Sequence, residues 1–279
     1  MVERTDSLAD YIKATLRLRD RWHQEDEEER RREKDPGADA PSDFWFRGHA
    51  EAGWALKPRL YRKRDGTDKN EFRLSDEHEI RSDFKRRGRQ LISESQLPAN
   101  DKEWYFLMQH YGAPTRLLDW TDGALLALYF ALHSLKHPTA AAVWMLDPDW
   151  LNEITLQKIF QESNYLSGVL LPEWKETNAW FPEPFEEALQ VMEPVALDPP
   201  HVARRVAVQH SHFTIHGRRQ SGLERLAGRD GSRLVKIIIP RRSIESIVKD
   251  LASCGISETT VYPDLEGLSR ELTLKWRQA

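Results

Sequence analysis

Cysteine is almost missing from this sequence, with Cys254 as the single example among 279 residues. One cysteine excludes an intramolecular disulfide framework and a zinc site built from several thiolates. No stretch reaches the roughly 18 consecutive apolar residues that a membrane-spanning helix needs. Residues 1–20 carry charges throughout instead of the apolar run of a signal peptide. We therefore expect a globular, cytoplasmic protein with no membrane association.

A basic excess is missing as well. The 41 lysine and arginine residues are balanced by 45 aspartate and glutamate residues, which gives a net charge of -4 at pH 7. Whole-chain charge therefore does not favour nucleic-acid binding. The sequence also lacks a glycine-rich phosphate loop of either standard spacing. What is present is apolar material: 39% of the residues are hydrophobic, enough for the core of one large or two small domains.

The order of segments predicts one domain with an extension before it. Residues 5–24 place apolar side chains at helical spacing, and a run of mixed charge follows them. We expect an N-terminal helical and charged extension at 1–35, a linker at 36–42 and the domain itself at 43–279. Within that domain, residues 148–200 are rich in Pro, Trp and Glu and predict an irregular insertion.

Strand and helix patterns interleave along the domain, which predicts the α+β class: a single mixed domain with a central sheet and a buried helix. Residues 124–132 are apolar on all sides, as expected for the buried helix. The β-branched run at 234–239 indicates a central strand. The other predicted strands are at 44–46, ended by Gly48, at 140–146 and near 259–262. The other predicted helices are at 70–93, at 241–254 with Ser243 as its cap, and at 264–276.

The first candidate site lies in Phe46-Arg47-Gly48, where an arginine stands at the end of a strand. Its guanidinium offers five donors in a fixed fork, which suits a phosphate or a carboxylate. Gly48 would allow a ligand to approach the backbone closely. The alternative is that Arg47 pairs with an acidic residue of the fold.

The second candidate site is the segment 110–121, which places polar residues between two apolar helices. Backbone N–H groups at the start of the second helix would favour an anion. The alternative is a scaffold in which Arg116 pairs with Asp119 and Thr121 caps the helix. The side chains of interest in this segment are His110, Tyr111, Thr115, Arg116, Asp119, Trp120 and Thr121.

A third polar segment runs from Gln209 to His216. On a strand, His210, His212 and His216 would share one face. The first and last of them would then be roughly 20 Å apart, which is too far for one ion. We therefore expect no metal.

These segments together resemble the FRG domain family, named for a Phe/Tyr-Arg-Gly motif. The resemblance rests on FWFRG at 44–48, WALKPRLYR at 54–62, QHYGAPTRLLDWTDGALLALYFAL at 109–132 and RVAVQHSHFTIHG at 205–217. It continues through LVKIIIP and VYPDLEGLSREL to the end of the chain. This chain has Gln209-His210-Ser211 where the family usually reads Gln-Gln-Gly, and the family is mostly bacterial.

A second similarity is to ADP-ribosyltransferases, whose core also begins with an aromatic-Arg-Gly strand. It implies NAD as co-substrate and an effector of the toxin or phage-defence kind. Arg47 would hold the pyrophosphate, Asp119 would stabilise the oxocarbenium-like sugar, and Trp120 or Tyr111 would stack on nicotinamide. The enzymes' Ser-Thr-Ser is missing, and Gln209 is the polar residue placed where their catalytic Glu would stand. The resemblance thus implies Arg47, Asp119 and Gln209 as catalytic, with substrate contacts from Gly48, His110, Tyr111, Thr115, Arg116, Trp120 and Thr121.

Two other functions remain open from the sequence. Arginines at 59, 62, 64, 86, 87 and 89, a basic loop at 218–233 and ten tryptophans would suit a nucleic-acid binder or nuclease. The N-terminal helix and the 148–200 segment would suit a non-enzymatic sensor that binds a partner protein. The macromolecular target, protein or nucleic acid, is unknown at this stage.

Overall fold

The computed structural model describes residues 2–33, 43–62, 74–133, 139–160, 168–182, 191–198, 211–228 and 231–277. The chain divides into two compact units. Unit 1 comprises Met1–Trp54, Thr121–Asp147 and Leu226–Ala279, and unit 2 comprises Ala55–Trp120 and Pro148–Arg225. In the described residues no helix is long and apolar enough to cross a membrane.

Four strands build the sheet region of unit 1. They lie in the order β1 (Val2–Arg4), β7 (Leu234–Ile239), β4 (Ala141–Leu146) and β2 (Trp45–His49). β1 runs parallel to β7, and β4 runs antiparallel to both β7 and β2. The register places Trp144 of β4 directly opposite Arg47 on one side and Lys236 on the other.

One face of these strands is covered by helices. The helices of unit 1 are α1 (Leu8–Glu33), α4 (Ala124–Leu132), α6 (Arg241–Ser253), α7 (Glu258–Val261) and α8 (Leu265–Arg277). Side chains from alternate strand positions, among them Phe46, Val143 and Ile237, form a core with apolar residues of α1, α4 and α6. The helix α4 lies so close to β2 that a Cβ atom at Gly48 would sit 2.1 Å from the Ala127 carbonyl oxygen.

Unit 2 has its own core. Its strands are β3 (Leu117–Thr121), β5 (Val195–Leu197) and β6 (Ser211–Ile215); the last residue of β3 belongs to unit 1. β6 lies between β3 and β5 and runs antiparallel to β5. The helices α2 (Leu74–Gly88), α3 (Asp101–His110) and α5 (Pro148–Phe160) complete it. Trp180 and Phe181 are buried in this core, so the 148–200 segment supplies structure and apolar surface to unit 2.

The predicted α+β class is confirmed, and the all-apolar helix at 124–132 and the strands at 140–146 and 234–239 are found as α4, β4 and β7. The domain boundaries stay a prediction, and the 36–42 linker lies outside the described residues. The N-terminal residues contribute β1 and α1 to unit 1, where Tyr11 is fully buried and its hydroxyl donates to the Ala124 carbonyl over 2.7 Å. The apolar face of α1, which the sequence suggested for a partner protein, therefore packs in the core of unit 1.

Three local predictions were wrong. Gly48 does not end the strand: β2 continues to His49, because glycine lets α4 pack on the strand. Residues 258–261 form the helix α7, in which the Ser257 backbone N–H donates to the Thr260 hydroxyl over 2.8 Å. This start signal and the burial of Val261 override the strand propensity of the sequence. Ser243 does not cap α6; its hydroxyl donates to Asp6 over 3.1 Å.

Candidate functional site

Arg47 lies in a row of side chains that crosses three strands of unit 1. Alternation along β2 directs Arg47 and His49 to the face opposite Phe46, and the Arg47 Nε donates to His49 Nε2 over 3.3 Å. Across the neighbouring strands, Trp144 stands opposite Arg47 and the Lys236 ammonium lies 5.2 Å from the Trp144 ring centroid. We call Arg47, Trp144 and Lys236 the cation row.

Gly48 and Thr121 belong to the other face. A Cβ atom at Gly48 would also come within 2.5 Å of the Ala131 nitrogen, so this glycine is explained by the packing of α4. Thr121 pairs with Phe46 and therefore shares the face that α4 covers. Its hydroxyl accepts from the Gly123 backbone N–H over 3.1 Å at the entry to α4. Thr121 and Arg47 thus point to opposite faces of the strands in unit 1.

Arg116 is held inside unit 2. Its side chain is 2% exposed, and its Nε contacts the Oε1 of Glu77, itself 4% exposed, over 2.9 Å. The same carboxylate oxygen accepts from the Tyr105 hydroxyl over 2.6 Å, and the Arg116 backbone N–H donates to that hydroxyl over 2.7 Å. Burial opposes the charge of Arg116, but Glu77 raises the pKa of Arg116 above its ordinary value. The partner of Arg116 is therefore Glu77 and not Asp119, and the pair fixes the scaffold of unit 2.

Asp119 is the exposed carboxylate of the 110–121 segment. Gln109 donates from its amide nitrogen to both carboxylate oxygens of Asp119, over 3.0 and 2.9 Å. The amide oxygen of Gln109 accepts from the hydroxyl of Thr115, which is completely buried. The buried Thr115 hydroxyl thereby fixes the orientation of the Gln109 amide, and the amide in turn holds the Asp119 carboxylate in one orientation at the surface.

The aromatic candidates of unit 2 differ in exposure. Tyr111 follows the last turn of α3 and is 69% exposed, and the His110 ring contacts its edge at a centroid distance of 5.0 Å. Trp120 is 2% exposed, and its indole N–H donates to the Thr214 hydroxyl over 3.1 Å. Tyr111 therefore offers an open stacking surface, whereas Trp120 packs in the interior.

Residues 42–140 match the model of the FRG domain. The chain contains an FRG domain. The matched range includes Arg47 and the whole 110–121 segment. Searches of curated proteins and of solved structures returned no match.

Gln209, predicted from the sequence to be catalytic, lies outside the described part of the chain and outside the matched FRG range. Sequence reasoning also missed a residue. Gln109 precedes the predicted segment by one position, and the available signal was a polar side chain at the end of a mostly apolar helix.

Arginines that the sequence offered for nucleic-acid binding make contacts within the chain. Arg59 donates to the Gly112 carbonyl and Arg86 to Asp83, while Arg219 and Arg225 both contact Glu193. Arg64 lies outside the described residues. These contacts explain the four arginines without a nucleic acid, and the nucleic-acid hypothesis stays a prediction.

A pocket of about 420 Å³ opens in unit 2 beside the start of α3. Its lining includes Arg81, Lys102 and Phe181 but none of the residues predicted for the site. Arg81 donates to the Pro182 carbonyl over 2.9 Å, and Lys102 donates to the Thr177 hydroxyl over the same distance. These cations hold neighbouring segments of unit 2 in place.

Proposed function

We propose that this FRG-domain protein consumes NAD, as an ADP-ribosyltransferase or an NAD glycohydrolase, and acts as a bacterial effector of the toxin or phage-defence kind. The observation that carries the proposal is the exposed Asp119 carboxylate, both of whose oxygens accept from the Gln109 amide. A carboxylate in a fixed orientation at the surface is the group that this chemistry needs.

The reaction explains that need. The bond between nicotinamide and ribose breaks, nicotinamide leaves with the electron pair, and positive charge develops on the sugar. A carboxylate already in place stabilises that charge without having to reorganise. Water or a nucleophile of a target protein then adds to the sugar carbon and releases its proton. Asp119 is assigned the stabilising role, and Gln109 with Thr115 keeps its carboxylate in position.

The resemblance to ADP-ribosyltransferases supplies the other assignments. Within unit 2, the exposed Tyr111 ring is assigned to the nicotinamide. Arg47 of unit 1 stays a separate candidate for the pyrophosphate, for which its forked donors are suited. Gly48, Arg116 and Thr121 have packing or pairing roles that explain these residues without a substrate. In the proposal they are therefore scaffold.

The test is release of nicotinamide from NAD by the purified full chain, with labelled NAD and cell lysate added to detect transfer to protein. Asp119→Asn should lower the rate by about a hundred-fold or more, since the charge is lost while the shape is kept. Asp83→Asn is the matched control, because Asp83 is also an exposed aspartate of unit 2 and contacts Arg86. Wild-type protein that releases no nicotinamide where a control enzyme does would overturn the proposal. Asp119→Asn with the full rate would do the same.

A further inference from the structure

The helix α8 of unit 1 carries an exposed apolar stripe. Four large apolar residues, one on each successive turn, form it: Leu265, Leu268, Leu272 and Trp276, which are 84%, 42%, 47% and 75% exposed. Because each helical residue advances by about 100°, spacings of three, four and four residues keep these side chains within an arc of about 80°. We call these four residues the leucine stripe.

Polar contacts hold the opposite face of α8 against the start of α7. Glu271 accepts from the Ser257 hydroxyl and from the Thr259 backbone N–H, each over 2.9 Å. Arg270 contacts the carboxylate of Glu258, whose side chain is 3% exposed. Arg270 and Glu271 lie about half a turn away from the leucine stripe. Their contacts fix the rotation of the helix about its axis, so the exposure of the stripe is a property of the fold.

A stripe of this kind indicates an interaction surface. A surface helix ordinarily places its apolar face against the core, whereas α8 places polar side chains there and the stripe outside. Single exposed leucines are common and need no explanation. A contiguous exposed patch marks a binding site, and large apolar residues spaced by three and four positions along one helix are typical of a helix–helix contact.

The charges in the sequence of α8 indicate what the partner is. Asp264 and Glu266 stand at the start of the helix. The sequence has Lys275 and Arg277 at its end. Residues 264–277 contain three acidic and three basic residues, so net charge gives no attraction to an anionic lipid surface. A second α8 that runs antiparallel brings the acidic start of each helix beside the basic end of the other, and the two helix dipoles then oppose each other favourably.

We propose that the leucine stripe pairs two copies of this chain, with the two α8 helices antiparallel about a two-fold axis. Leu265 of one copy then lies beside Trp276 of the other, and Leu268 beside Leu272, so the same four residues serve both copies. A helix of 13 residues is about 20 Å long. So small a contact predicts a weak dimer that forms as the concentration rises. The proposal goes beyond the proposed function and does not depend on it.

The test is sedimentation velocity of the purified full chain from about 1 µM to about 1 mM, the range in which a weak contact forms. Wild-type protein should change from monomer to dimer over this range. Leu272→Glu should weaken the dimer by roughly ten-fold or more, because the contact would bury a charge. Leu91→Glu is the matched control and should dimerise like wild type, since Leu91 is 86% exposed but lies in unit 2.

Charge reversal tests the antiparallel direction. Glu266→Lys should weaken the dimer, because the new lysine meets the basic end of the other copy, and adding Arg277→Glu should restore it. In a parallel pair, like ends meet before and after the change, so an unaltered affinity of Glu266→Lys would overturn the proposal.

Two further results would overturn it as well: wild type that stays monomeric at every concentration, and folded Leu272→Glu that dimerises like wild type. Leu272 is exposed, so Leu272→Glu should keep the wild-type melting temperature. If it does not, Leu268→Glu replaces it in the same measurement, with the same expected loss and the same contradicting result.

Discussion

Replacing Arg116 with methionine should destabilise unit 2, because the Glu77 carboxylate would lose its partner inside the protein. Both side chains are almost completely buried, at 2% and 4% exposure. Breaking a buried pair by removing one charge costs about 3–5 kcal/mol. For units of this size each kcal/mol lowers the melting temperature by about 2–4 °C, so a fall of roughly 10 °C is expected. Thermal unfolding followed by circular dichroism measures it.

A second single variant, Glu77→Gln, and the double variant complete a double-mutant cycle that separates the loss of charge from the loss of packing. Glu77→Gln keeps an acceptor for the Tyr105 hydroxyl but leaves Arg116 charged and unpaired, so it should also be destabilising. The double variant removes both charges and should be more stable than either single variant. If Arg116→Met melts within about 2 °C of wild type, or if the two losses simply add, the pair does not hold unit 2 together in the way described.

Three other predictions concern different parts of the molecule. Gly48→Ala should lower the free energy of unfolding by about 1–3 kcal/mol or more, because the added methyl group clashes with Ala127. Gly53→Ala is the control and should melt like wild type, since no atom lies within 4 Å of the added Cβ. Equal melting temperatures of the two variants would contradict the packing account. Arg47→Ala should remain soluble and folded but lose activity, with Arg47→Lys restoring only part of it because ammonium lacks the fork; a large fall in melting temperature would show a structural arginine instead. Burial raises the pKa of Tyr61 from 10.0 to about 12. The unfolded chain therefore loses this proton first, and the melting temperature should fall as the pH rises from about 10 to about 12. Tyr61→Phe should make that fall shallower, and an unchanged slope of melting temperature against pH would refute this linkage.

Elements whose apolar pattern was strong could be predicted from the sequence. The helix α4 is apolar on all sides, and β7 is a run of β-branched residues, so local composition and burial agree there. The helix α7 was mistaken for a strand because its Thr-Thr-Val sequence has strand propensity, while its start signal and burial favour a helix. Tertiary packing decided in that case.

The candidate site could be predicted only in part. The positions of Arg47 and Asp119 were recognisable as polar residues next to apolar elements. The partner of Arg116 was not, since Glu77 precedes Arg116 by 39 residues. The neighbours of Arg47 were not either, because the strand register that aligns Arg47 with Trp144 and Lys236 depends on the whole sheet region of unit 1. Contacts between distant segments follow from register and packing, which local patterns do not contain.

The measurement that tests the central claim most directly is the single-turnover rate of nicotinamide release at saturating NAD. Asp119 is held by Gln109 at the surface and is assigned to the developing charge on the sugar. The account predicts that Asp119→Asn binds NAD as tightly as wild type but cleaves it about a hundred-fold or more slowly, because the stabilisation is needed only in the transition state. An Asp119→Asn protein that cleaves bound NAD at the wild-type rate would contradict the account.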